Sequence, residues 1–114
     1  MRQLTHERLD VYQKAIAFLA LGVKLIPTIP KGYSAVSDQL KRAAVSTVLN
    51  IAEGAGKPTV GDNKKHFAIA RGSALECGAV LDTLRVLGTD ELASIDQGKA
   101  LLVDIVSMLA KLCW

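Results

Sequence analysis

Four amphipathic segments, punctuated by glycine and proline, predict an all-α chain folded as an antiparallel up-down-up-down four-helix bundle, a single domain over residues 1–114. Three observations carry this expectation. Apolar residues recur every three or four positions through most of the chain. No stretch alternates apolar and polar residues as a half-buried strand does. Half of the residues are hydrophobic but only 4% are aromatic, so the core must be built from Leu, Ile, Val and Ala, which lets helices pack closely. At 114 residues the chain has the size of one domain and buries roughly two-thirds of its unfolded surface without needing staples.

The first helix has the clearest pattern. Leu9, Tyr12, Ile16, Leu19, Val23 and Ile26 fall at spacings of 3, 4, 3, 4 and 3, one continuous stripe, with Thr5 as a candidate cap. Pro27 and Pro30 end it, because proline has no amide proton and clashes with the preceding turn. Residues 27–33 then form a linker. A second helix starts near Ser34 or Ser37, either of which can cap it, and its face is Val36, Leu40, Ala43, Ala44, Thr47, Val48 and Ile51. Gly54, Gly56 and Pro58 stop it, leaving residues 54–61 as a flexible loop. Asp62 caps a third helix whose stripe is Phe67, Ala70, Ala74, Cys77, Leu81, Leu84 and Leu87, closed by Gly88. The fourth helix has Leu92, Ile95, Leu102, Ile105, Leu109 and Leu112 on one face. Both Thr89-Asp90-Glu91 and Ser94 with Gln97 offer capping chemistry at its start, which allows a short turn before the main helix.

Helices two and three hold surplus small residues, in Ala43-Ala44, Ala52 to Gly56, Gly72-Ser73-Ala74 and Gly78-Ala79. Glycine within a helix costs about 0.5–1 kcal/mol relative to alanine, so Gly72 and Gly78 call for close contact with another helix or another subunit. A homo-oligomer follows as an expectation.

The formal net charge of +3 is too mild for a dedicated nucleic-acid binder, but its distribution is uneven. Residues 31–71 carry seven bases (Lys31, Lys41, Arg42, Lys57, Lys64, Lys65, Arg71) against three acids (Asp38, Glu53, Asp62), whereas the remainder carries seven bases against eight acids. Cys77 and Cys113 lack the spacing of a metal site or a disulfide framework and read as a core residue and a thiol near the end. The charged start lacks the apolar core of a signal peptide, and the longest uninterrupted apolar run, Ala15 to Val23, is far shorter than the ~20 residues that span a bilayer. A cytoplasmic protein that makes no use of a membrane is expected.

Enzymatic readings fail one by one. A di-iron bundle needs Glu-x-x-His pairs, and neither His6 nor His66 follows a glutamate at that spacing. Gly54-Ala55-Gly56-Lys57 lacks the spacing and preceding strand of a phosphate loop. Ser73 sits inside a helix without a histidine partner in motif context. The sequence therefore predicts no catalytic residue, no metal and no cofactor. Glu53 and Glu76 stand among small and apolar neighbours near Asn50 and Ser73, and a buried carboxylate must be paired. The expected partners are Arg42 or Arg71, within or between subunits.

The stretch Leu40-Lys41-Arg42-Ala43-Ala44-Val45-Ser46, followed by Asn50-Ile51-Ala52-Glu53-Gly54, resembles the hallmark of the four-helix-bundle family named after large-subunit rRNA intervening sequences. Phe67 and then Ile69-Ala70-Arg71-Gly72-Ser73-Ala74-Leu75-Glu76 match its third helix, and Leu9, Tyr12, Ala15 and Leu87-Gly88 agree in spacing. The resemblance covers nearly the whole chain. It implies a homopentamer, and kinship with the accessory protein of diversity-generating retroelements, a basic pentameric barrel that binds nucleic acid and a reverse transcriptase. This chain departs from those accessory proteins in being only modestly basic.

Two sets of candidate site residues result. Lys57, Lys64 and Lys65 share one end of the hairpin of helices two and three, with Lys41 nearer the other end, and make a surface for sequence-independent contact with RNA or DNA phosphates. Arg42, Asn50, Glu53, Arg71, Gly72, Ser73, Glu76 and Gly78 make a structural polar network and subunit interface. The expected function is a non-catalytic oligomeric scaffold or adaptor that binds nucleic acid weakly; the alternative is a pure protein–protein module.

Overall fold

The computed structural model describes residues 2–114, so Met1 of the expected domain lies outside the described residues. Four helices account for most of the chain: α1 (Asp10–Leu25), α2 (Ser34–Gly56), α3 (Val60–Val86) and α4 (Leu92–Cys113). Short 3-10 turns at Thr5–Arg8 and Ile26–Thr28 flank α1, and there is no strand among the described residues. Helix α1 packs on α2 and α4, and α3 packs on the same two helices. The four axes therefore stand at the corners of a square in chain order, an all-helical arrangement compatible with a four-helix bundle, 44 × 30 × 21 Å overall.

The predicted faces of α2 and α3 lie in the core. Leu40, Ala43, Ala44, Thr47, Val48 and Ile51 of α2 meet Phe67, Ala70, Ala74, Cys77, Leu81 and Leu84 of α3, all buried, with Val36 and Leu87 half-buried at the margins. Ile95, Leu102, Ile105 and Leu109 of α4 complete this side, but Leu92 and Leu112 lie exposed in its end turns. Burial pushes the Cys77 thiol up to about 12, against the partial relief of a hydrogen bond with Thr47, so it is an inert core group. Cys113 is half-buried and also free.

The face of α1 needs correction. Val11, Ala15, Phe18, Gly22 and Leu25 line the core, whereas Ile16 and Val23 of the predicted stripe are 41% and 59% exposed. This helix is apolar nearly all round between Ala15 and Val23, so the same periodicity fits two stripes about one residue apart. The stripe that wins places Phe18 inside, with small Ala15 and Gly22 bringing the neighbouring helices close. By length and composition Asp10–Thr28 is also apolar enough to cross a membrane, which counting uninterrupted runs had missed. Here it forms one side of the bundle.

Helix boundaries shift for local reasons. Thr5 opens the 3-10 turn, and Leu9 stands at the N-cap of α1 without a side-chain bond. Ser34 and Ser37 lie inside α2, whose N-cap is Tyr33. Helix α2 runs through Gly54 to Gly56, so the expected loop shrinks to residues 57–59. Thr59, not Asp62, caps α3: its hydroxyl accepts the Asp62 amide at 3.2 Å, leaving Asp62 in the first turn where its charge suits the helix dipole. Gly88, at φ +83°, closes α3 with the Thr89 amide reaching back to the Leu84 carbonyl at 3.3 Å. Helix α4 follows as one piece, with Glu91 at its N-cap and Ser94 inside it.

The close helix contacts fall on other glycines than those predicted. A Cβ on Gly54 would stand 2.9 Å from the Phe67 ring, and one on Gly98 2.8 Å from Leu21. A Cβ on Gly72 would meet nothing within 4 Å, and one on Gly78 would make ordinary contact with Leu102 at 3.9 Å. Packing within the chain therefore does not demand glycine at Gly72 or Gly78.

Candidate functional site

Three surfaces emerge from this frame: a polar seam, a basic end and two apolar grooves. The seam runs between α2 and α3. The Ser46 and Ser73 hydroxyls stand 2.8 Å apart, and the Asn50 amide donates to the Ser46 carbonyl (2.9 Å) and hydroxyl (3.1 Å). His66 Nδ1 lies 3.2 Å from Asn50 Oδ1 and 3.4 Å from Glu53 Oε2, so one Nδ1–H serves both oxygens. Asn50 and Ser73 are thus linked through Ser46, and Glu53 reaches the seam through His66, whereas Glu76 stands apart from it. Glu53 and Glu76 are exposed rather than buried, Glu53 meeting His66 and Glu76 accepting from Gln39 at 2.9 Å. Neither pairs with Arg42 or Arg71 within the chain, because hydration removes the need for an arginine partner. Two members of the seam escaped prediction. Ser46 and Asn50 lie four apart on α2, and His66, Ala70 and Ser73 share one face of α3; that matched polar spacing was the available signal.

The basic end is built by the α2–α3 turn. Asn63 holds the turn, its amide donating to the carbonyls of Gly54 and, at 2.9 Å, Lys57. Lys57, Lys64 and Lys65 are exposed there, and none joins an ion pair among the described residues. Lys41 stands apart, about 24 Å back along the α2 axis, and lines the rim of the α1–α2 groove with Val45. Arg42 and Glu53 flank the shallow outer surface of α2 around Leu49. Arg71 lies on α3, two turns on from Lys64, its guanidinium 5.3 Å from the centre of the Trp114 ring and its Nε buried with no hydrogen-bond partner among the described residues. Nothing in the sequence pattern tied Trp114 to Arg71, since their contact spans two helices.

Two grooves between neighbouring helices are mainly apolar. One, of about 330 Å³, lies between α1 and α2 and is lined by Leu19, Val23, Ile26, Leu40 and Ala44. The other, of about 430 Å³, lies between α3 and α4 and is lined by Leu75, Gly78, Ala79, Leu102, Val103 and Val106. Because the helices stand in chain order around a square, these grooves open on opposite sides. Val23 in the first groove and Val103 in the second are 59% and 63% exposed. Gly78 lines the second groove, and Gly72 is exposed on the same helix outside it. Among the described residues no three His, Cys, Asp or Glu side chains gather as metal ligands would.

Four helices in chain order, with a hydrogen-bonded seam along the α2–α3 hairpin, define a small all-helical protein compatible with a four-helix bundle. The chain belongs to the 23S rRNA-intervening sequence protein family, whose model matches residues 7–111. That match agrees with the resemblance carried by Leu40 to Ser46 and Ile69 to Glu76. No curated protein matches the chain.

Proposed function

We propose that this protein is a non-catalytic, self-assembling helical module of the cytoplasm, acting as a scaffold or adaptor. The observation that supports it is the pair of apolar grooves on opposite sides of the bundle, between α1 and α2 and between α3 and α4. Apolar area of this kind is costly to leave in water, and large contiguous patches mark interaction sites. Two different faces on opposite sides suit a head-to-tail contact, the α1–α2 face of one copy against the α3–α4 face of the next. Repeated, such a contact closes into a ring, which is the route to the homopentamer that the family resemblance implies. Gly78, in the α3–α4 groove, then serves to admit the neighbouring copy.

A head-to-tail contact has a distinctive test. Val23→Glu spoils only the first face and Val103→Glu only the second, and both side chains are exposed, so folding is kept. Each variant alone should sediment as a monomer, because every contact needs one face of each kind. Mixed together they retain one intact pair of faces and should form a heterodimer and nothing larger. Assembly unchanged by both substitutions contradicts the reading.

A second reading concerns nucleic acid. Lys57, Lys64 and Lys65 stand together, exposed and unpaired among the described residues, on a turn fixed by Asn63. Phosphate contacts of this kind give salt-sensitive, sequence-independent affinity. Mobility-shift titration at low salt with about 10–100 µM protein should retard both RNA and DNA, and Lys64→Ala with Lys65→Ala should weaken the shift. No retardation leaves the protein a protein–protein module alone.

A further inference from the structure

We propose that Trp114 is a base-stacking platform for single-stranded nucleic acid, presented at the basic end of the bundle; this rests on the nucleic-acid reading above. Trp114 is the chain's sole tryptophan, and the residue is 79% exposed. An aromatic ring so placed is unusual in a protein with only 4% aromatic residues. The ring does not float free. Arg71 lies 5.3 Å from its centre, and the Arg71 Nε is buried without a partner, so the guanidinium is committed to the ring rather than to a carboxylate. Cation–π support from one side leaves the other side of the indole open for a nucleobase.

The surroundings supply the backbone contacts. Helix α4 ends beside the start of α3: Leu112 and Lys64 line one groove with Thr5, Val60 and Phe67. Lys111 lines the adjoining one beside Asp10. From Ile105 to Trp114 the chain carries Lys111 and no acid. Lys111 is three residues before Trp114 in the chain, Lys64 shares a groove with Leu112 two residues before it, and Lys57 lies at the same end of the α2–α3 hairpin. A basic groove with an aromatic step is the arrangement that binds single strands with little sequence preference, since every base has a π face. Duplex bases are already stacked on one another and offer the ring nothing.

Because no other tryptophan exists, its emission reports on this site alone. The full chain is titrated with oligothymidylate at low salt, following Trp114 emission together with the anisotropy of the labelled oligonucleotide. The expected result is saturable quenching that tracks the anisotropy, with a duplex of equal length binding without quenching. Trp114→Ala should weaken binding of the single strand about tenfold, and Trp114→Phe should restore most of it. Binding with unchanged emission, or equal affinity in Trp114→Ala, overturns the platform while leaving the basic end in place. No binding of any strand overturns the nucleic-acid reading itself. Emission that shifts to the blue with protein concentration alone places Trp114 between copies and also overturns the proposal.

Discussion

Gly98 of α4 faces Leu21 of α1 so closely that a Cβ on the glycine would stand 2.8 Å from the leucine Cδ2, with Leu81 at 3.0 Å and Phe18 at 3.3 Å beyond it. Three side chains from two helices converge there, so no single rotamer change makes room. Gly98→Ala should therefore destabilise the protein by about 1–3 kcal/mol through overpacking, outweighing the gain of about 0.5–1 kcal/mol that alanine brings to a helix. Gly72→Ala, with nothing within 4 Å, should keep that gain. Urea unfolding of the two variants under identical conditions checks the opposite signs.

The corrected face of α1 predicts an equally sharp contrast. Phe18 is 2% exposed and Ile16 41%, although both are large and apolar. Phe18→Ala should cost about 3–5 kcal/mol. Ile16→Ala should change the stability of the single chain by no more than about 0.5–1 kcal/mol. Similar losses at the two positions, by chemical denaturation at low protein concentration, would return α1 to the stripe that its sequence first suggests.

That contrast marks how far the sequence reaches. The stripes of α2 and α3 were legible because each helix carries a polar face that fixes its rotation. Helix α1 has almost none between Ala15 and Val23, so periodicity alone could not choose between Ile16 and Phe18. Glycines were legible only in part for a related reason: Gly72 and Gly78 stood out in a small-residue run, while the tight contacts within the chain fell on Gly54 and Gly98, which only packing across helices distinguishes. In the candidate site, the basic end was legible because Lys57, Lys64 and Lys65 are close in sequence. The pairing of Arg71 with Trp114 was not, because residues so distant meet only through the fold.

Cys77 gives the pH dependence a sign. Its thiol is pushed up from 9.0 to about 12 by burial, so the folded state holds the proton that the unfolded chain releases first. The stability this contributes is complete below about pH 9 and is lost progressively as pH rises toward 12. Alkylation with iodoacetamide at neutral pH should accordingly modify Cys113 first and reach Cys77 only after unfolding, as mass spectrometry of the labelled peptides will tell.

The α2–α3 turn depends on one side chain. Asn63 donates to the Gly54 and Lys57 carbonyls, closing groups that the end of α2 leaves open. Asn63→Ala should cost about 1–3 kcal/mol, and amide exchange across residues 54–63 should quicken more than in α4. Uniform acceleration through the whole chain would show instead that the turn has no local stability of its own.

The mass of the purified chain in solution bears most directly on the role proposed here, since that role has both apolar grooves covered by another copy. Light scattering across a dilution series should give a whole-number multiple of 12.2 kDa, with five subunits the expected value, falling toward one subunit in Val23→Glu. A mass of 12.2 kDa at every concentration would contradict self-assembly.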